Sequence, residues 1–175
     1  MVTINHIKNF NKTLVEFVYF DLFLFISIYF IPSLSHNFTF PIYYFDPMRI
    51  AMVLCLCHTK QMNTIFIVIT LPIFSFIVSS HPLGIKAVLI SFELILNIFI
   101  YIWLNKKFEF QFISMIFSIL ISKIFYYSIK YLLLKSNVIS GSFISTPLVY
   151  QLIFMFFSSL YIYLIIDKNY FKTGT

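Results

Sequence analysis

Residues 61–80 and 147–166 are each long enough to cross a membrane, and neither holds a single charged side chain. A helix that is apolar on every face cannot lie on the surface of a water-soluble domain, which needs a polar stripe toward solvent. About 20 such residues cross the hydrocarbon core of a bilayer. Further apolar stretches run over residues 14–31, 85–104 and 112–134, with a shorter one at 47–58. The composition agrees, with 61% hydrophobic and 10% charged residues, against roughly 25% charged in soluble domains. Mean hydropathy is +0.95. The expected fold is all-α: a polytopic membrane protein of about six transmembrane helices in one bundle, a single integral membrane domain over residues 1–175. Bilayer lipid is then the first partner of the chain.

The second element is expected to be irregular. Residues 38–58 are apolar overall but broken by Pro41, Asp46, Pro47 and Arg49. Proline disfavours helical geometry in the residue before it, so the helix is predicted to begin at Pro47. From there to His58 is too short to cross alone, which predicts a broken or re-entrant element. Non-helical backbone at membrane depth must be covered by protein or line a wet cavity. Pro72 is predicted to kink the third span, and Pro147 suits the first turn of the sixth. Lys8 and Lys12 before residues 14–31 resemble the start of a signal peptide. The stretch is long for one and contains Glu16 and Asp21, so an uncleaved first span is expected.

Six spans put both termini on one side. That side would carry Lys8, Lys12, Lys60, Lys106, Lys107, Lys168 and Lys172, against Lys86, Lys130, Lys135 and Arg49 on the other. The positive-inside rule places the richer side in the cytoplasm, and the expected location is a bacterial inner membrane.

Charges within spans are costly and mark candidate functional residues. In the fourth span Lys86, Glu93 and Asn97 fall at i, i+7 and i+11, along one helical stripe. In the fifth, Lys123, Tyr127 and Lys130 fall at i, i+4 and i+7. At 1.5 Å per residue, Glu93 lies roughly 10–12 Å below the outer end, and Asn97 and Lys123 both near roughly 16–18 Å. The stripes can therefore face each other, with Glu93 turned inward within reach of Lys123, Tyr127 or Lys130. Such a pair either fixes packing or forms a binding site. A second set gathers at the outer loops: His36, Tyr43, Tyr44, Asp46 and Arg49, then His81 and Lys86, then Asn137, Tyr150 and Gln151. It reads either as the mouth of a small-molecule site or as an interfacial belt with solvated charges. The candidate ligand-binding residues are Asp46, Arg49, His81, Lys86, Glu93, Asn97, Lys123 and Tyr127. Asp21 is a weaker candidate for ion or proton coupling.

Other chemistry is not signalled. There is no H-E-x-x-H, G-x-S-x-G or P-loop pattern, so no enzymatic activity, catalytic residue, cofactor or metal is expected. Cys55 and Cys57, beside His58, match neither a haem-attachment nor a zinc spacing, and are expected to be structural thiols. No basic patch suited to nucleic acid is interleaved with a soluble fold.

Asp46-Pro47-Met48-Arg49 after the first span, and Ser79-Ser80-His81-Pro82-Leu83-Gly84-Ile85-Lys86-Ala87 before the fourth, resemble features of the membrane-embedded substrate-binding (S) components of energy-coupling-factor transporters. The resemblance lies in the six-span layout and in these short stretches. It implies a small-solute-binding subunit holding a vitamin, a precursor or a metal ion near the outer face, docked on a shared coupling module with two ATPases. The same Ser-x-Pro-Leu-Gly turn resembles MreD, the rod-shape-determining membrane protein, which implies a scaffold partnered with the cell-wall elongation machinery.

The charge asymmetry makes a direct prediction. A cysteine introduced at Ser142 reacts with a membrane-impermeant maleimide in intact cells, and one introduced at Lys106 reacts only after permeabilisation. External labelling at position 106 would overturn the topology.

Overall fold

The computed structural model describes residues 18–31, 42–79, 84–108 and 110–165, and helices occupy the predicted apolar stretches. They are α1 (Val18–Ile31), α2 (Pro47–His58), α3 (Gln61–Ser79), α4 (Gly84–Phe108), α5 (Gln111–Lys135) and α6 (Leu148–Ile165), with a 3-10 turn at Ile42–Phe45. The architecture is all-α, and α3 to α6 are each long and apolar enough to cross a membrane. α4 and α5 have 25 residues each, or about 37 Å at 1.5 Å per residue. α3 runs through Pro72, which sits inside it. Pro147 stands at the first turn of α6, its carbonyl accepting from the Tyr150 amide at 3.1 Å.

The short helix α2 is the hub. With 12 residues it covers about 18 Å, too little to cross alone, yet it is buried along much of its length. Met52, Val53 and Leu56 join Val68, Leu94, Ile98, Tyr101, Met115, Ile119 and Ile162 in one core, which draws on α2 to α6. Ala51 and Cys55, on another side of α2, join Leu24 and Ile28 of α1 and Ile67 and Leu71 of α3 in a second. Both cysteines are free thiols. The ends of so short a helix need partners inside the protein. At the C-terminal end the Thr59 amide and hydroxyl both donate to the Cys55 carbonyl, at 2.8 and 2.9 Å. At the other end the preceding turn is pinned to α6, with Tyr44 stacked on Tyr150 and Phe45 edge-on to Phe154.

The exterior is as apolar as the core, and small polar side chains are buried between the helices. Ser114, Ser118 and Ser122, at i, i+4 and i+8 of α5, are fully buried, as are Thr64, Asn97 and Ser159. Phe66, Ile77, Phe99, Ile124, Leu132, Phe157 and Leu164 are more than half exposed. Water would penalise that exterior heavily, since monomeric soluble proteins rarely expose apolar surface on this scale. Lipid does not, and small residues at helix contacts let backbones approach closely. The most extensive helix contact is α4 against α5, joined by a link of two residues, followed by α3 against α4.

α5 ends in a Schellman turn that the sequence reading treats only as the start of a loop. The Val138 amide bonds the Leu133 carbonyl at 3.0 Å and the Asn137 amide bonds Leu134 at 3.1 Å. Asn137 is left-handed, with φ 56°, the conformation that the motif requires. Asn137→Gly is expected to leave thermal stability in detergent nearly unchanged. Asn137→Val, with a branched side chain in that region, is expected to cost roughly 1–2 kcal/mol. Equal melting of the two variants would contradict the assignment.

Candidate functional site

The site starts from one backbone turn. Asp46 precedes Pro47 and takes left-handed geometry, φ 50° and ψ 58°, which short polar side chains tolerate better than others. Its carbonyl accepts from the Arg49 and Ile50 amides at 3.0 and 3.1 Å, starting α2. Its carboxylate makes no capping bond to the helix and is directed to cations instead. Asp46 Oδ2 accepts from Arg49 Nε at 3.0 Å and lies 3.4 Å from Lys123 Nζ. Arg49 Nη2 pairs with Glu93 Oε1, and Lys123 Nζ is 3.3 Å from the same oxygen. Two carboxylates and two cations from the α2 entry, α4 and α5 thus close into a neutral tetrad.

The tetrad is graded in burial. The side chains of Arg49 and Glu93 are 3% and 4% exposed, and those of Lys123 and Asp46 are 21% and 33%. The pair at the bottom has lost its hydration, so each charge there depends on the other. Arg49 Nη1 is buried with no hydrogen-bond partner among the described residues. Asn97, one turn from Glu93, accepts from Ser118 Oγ at 3.1 Å, while its Nδ2 is buried and likewise unpartnered.

The predicted stripes of α4 and α5 do meet, through Glu93 and Lys123. The structure also merges them with Asp46 and Arg49, which the sequence reading assigns to a separate outer cluster. Lys86 does not join the tetrad: its Nζ donates to the Ser140 carbonyl at 3.0 Å. Tyr127 donates to Gln151 Oε1 at 3.0 Å, and Gln151 Nε2 donates to the Thr146 carbonyl at 2.7 Å. Asp21, to which the sequence reading gives no partner, accepts from Asn63 Nδ2 at 2.8 Å. His36, His81 and Glu16 lie outside the described residues. Among the described residues no group of three or more His, Cys, Asp and Glu could hold a metal ion.

Between α5 and α6 runs a groove of about 800 Å³. Its walls are mostly apolar, with Ile124 and Leu152 on the two helices and Phe143 of the connecting loop at one end. Lys123, Tyr127, Ser128, Tyr131 and Gln151 are its polar residues. Lys123 therefore belongs to both features, a member of the tetrad and a wall of the groove. Gln151 is present in the sequence reading only as a loop-adjacent polar residue, because its partner Tyr127 lies on another helix.

The grading of burial predicts how the tetrad fails. Glu93→Gln strands Arg49 with one carboxylate shared between two cations and is expected to cost about 3–5 kcal/mol, the usual range for breaking a buried pair. Adding Arg49→Met leaves Asp46 paired with Lys123 and recovers most of the loss. Adding Lys123→Met instead recovers less, because the lysine, 21% exposed, is the cheaper charge to strand. Thermal unfolding in detergent ranks the three variants, and a neutral Glu93→Gln would dismiss the tetrad as a structural element. Set beside known proteins, the chain matches no family model, no curated protein and no solved structure.

Proposed function

We propose that this chain is a non-enzymatic, solute-binding membrane subunit of a transporter, comparable in role to the S components of energy-coupling-factor systems. It would lie in a bacterial inner membrane with both termini in the cytoplasm. The observation that carries this reading is the α5–α6 groove, whose volume falls within the roughly 300–1,000 Å³ of small-molecule sites and which joins apolar walls to a few convergent polar groups. Lys123, Tyr127 and Gln151 are among those groups, and Lys123 is held in place by Asp46 and Glu93. Glu93, Arg49 and Asn97 then act as positioning residues rather than as groups that touch the solute.

A second reading, an MreD-like scaffold of the cell-wall elongation machinery, is favoured by two observations. Asp46, Arg49 and Glu93 satisfy one another inside the bundle and present little to a ligand. Residues 14–31 also contain no alanine or glycine, whereas S components commonly dock their coupling module through small residues on the first helix.

Affinity purification in mild detergent separates the two readings. A transporter subunit is expected to bring down a pair of ATPases with a membrane coupling protein, and a scaffold to bring down cell-wall synthesis proteins. Filling the groove by Leu152→Trp is expected to abolish solute uptake while the ATPases still co-purify. Recovery of cell-wall synthesis proteins alone, with no effect of Leu152→Trp on growth or shape, would favour the scaffold.

A further inference from the structure

Lys130 is the charge that the tetrad leaves out. It lies on α5 one helical turn beyond Tyr127, and only 3% of it is exposed. Its ammonium donates to Ser145 Oγ at 3.3 Å and stands 5.8 and 6.0 Å from the ring centroids of Tyr126 and Tyr127. Among the described residues the ion pairs join Asp46, Arg49, Glu93 and Lys123, and none reaches Lys130. Among the described residues the charged groups that act on it, Lys86 and Lys123, are both positive. Lys123 is already compensated by two carboxylates, whereas Lys86 is held by the backbone carbonyl of Ser140. A buried ammonium is normally paired with an anion. A hydroxyl and two aromatic faces at the outer limit of cation–π range offset only part of that cost.

This surplus of positive charge borders the groove. Tyr127 contributes to the groove wall and also lies against Lys130. Phe143 and Ile144, just before Ser145 in the same loop, cover the groove end, with the Phe143 ring 5.5 Å from that of Tyr127. A ligand in the groove would therefore meet apolar walls along its length and, behind Tyr127, a cation that no carboxylate among the described residues compensates. Because Lys130 is enclosed, the anionic group that reaches it has to be compact.

We infer that the groove binds an amphipathic acid, with a small carboxylate head set against Lys130 and an unbranched apolar tail lying between α5 and α6. The inference rests on the solute-binding reading above and names its ligand class. Its occupant is a free single-chain acid, because a cation only 3% exposed and outside the groove lining is open to a head no larger than a carboxylate.

The test uses the full-length protein in phosphatidylcholine nanodiscs, titrated with palmitate, hexadecanol and acetate, with binding read by native mass spectrometry and by the thermal shift. Palmitate is expected to bind at least tenfold more tightly than hexadecanol, and acetate not measurably. Lys130→Met is expected to remove the preference for acid over alcohol while hexadecanol binding persists, and Lys130→Arg to restore it. Should Lys130→Met fail to fold, the wild-type comparison of acid with alcohol remains decisive. Equal binding of palmitate and hexadecanol would overturn the role of Lys130 while leaving solute binding intact. Acetate as effective as palmitate would overturn the apolar tail. Displacement of palmitate by phosphatidylglycerol at one lipid per protein would show that the occupant is a bilayer lipid, and overturn the free acid. Absence of binding by all three probes, while the ATPases still co-purify, would overturn the ligand class alone; absence of both would remove the transporter reading as well.

Discussion

The contact between Arg49 and Glu93 ties a helix that cannot cross a membrane to one that can. α2 begins at a proline, runs 12 residues and stops, and by length alone it has no stable position in lipid. Its arginine reaches a carboxylate in the middle third of α4, and both side chains are almost completely enclosed. Neither charge is tolerable there without the other. The requirement fixes how far α2 enters the bundle and how it is rotated about its axis. Once that is set, Met52 and Cys55 fall into the two separate cores.

The same constraint explains the turn before α2. Left-handed geometry at Asp46 bends the chain out of the 3-10 turn and aims the carboxylate at Arg49 and Lys123 rather than at the helix end. A side chain that would ordinarily cap the helix is spent on a tertiary ion pair. The helix start relies instead on proline at its first position, where no amide donor is missed. Local backbone strain and long-range charge pairing are therefore one arrangement.

Around this centre the bundle divides its polar groups into two kinds. On the α4-facing side of α5, Ser118 bonds Asn97 of α4 and Ser122 bonds the carbonyl of Ile119 in its own helix, while Ser114 Oγ and Asn97 Nδ2 are buried without a partner among the described residues. Toward α6, α5 presents lysines and tyrosines to a groove and a loop, where positive charge exceeds negative. One helix thus carries a closed polar face and an open one. On the reading proposed above, the first holds the fold and the second meets the solute, with Lys123 at the boundary between them.

Apolar stretches of span length, interrupted by prolines, were sufficient in themselves to dictate the helices. Lipid imposes one backbone solution on such stretches, because every amide must be satisfied within the segment, so the all-α architecture and the short α2 were legible from residue order. The i, i+4, i+7 spacing likewise placed Lys123, Tyr127 and Lys130 on one stripe and matched Asn97 with Lys123 by depth, with Glu93 one turn from Asn97 on the same stripe. Helical periodicity says which residues share a face but not which helix that face meets. Only tertiary packing could bring Asp46 and Arg49 to Glu93, give Asn63 to Asp21, join Tyr127 to Gln151 and leave Lys130 without an acid among the described residues, because each of these relations depends on how the helices are rotated against one another.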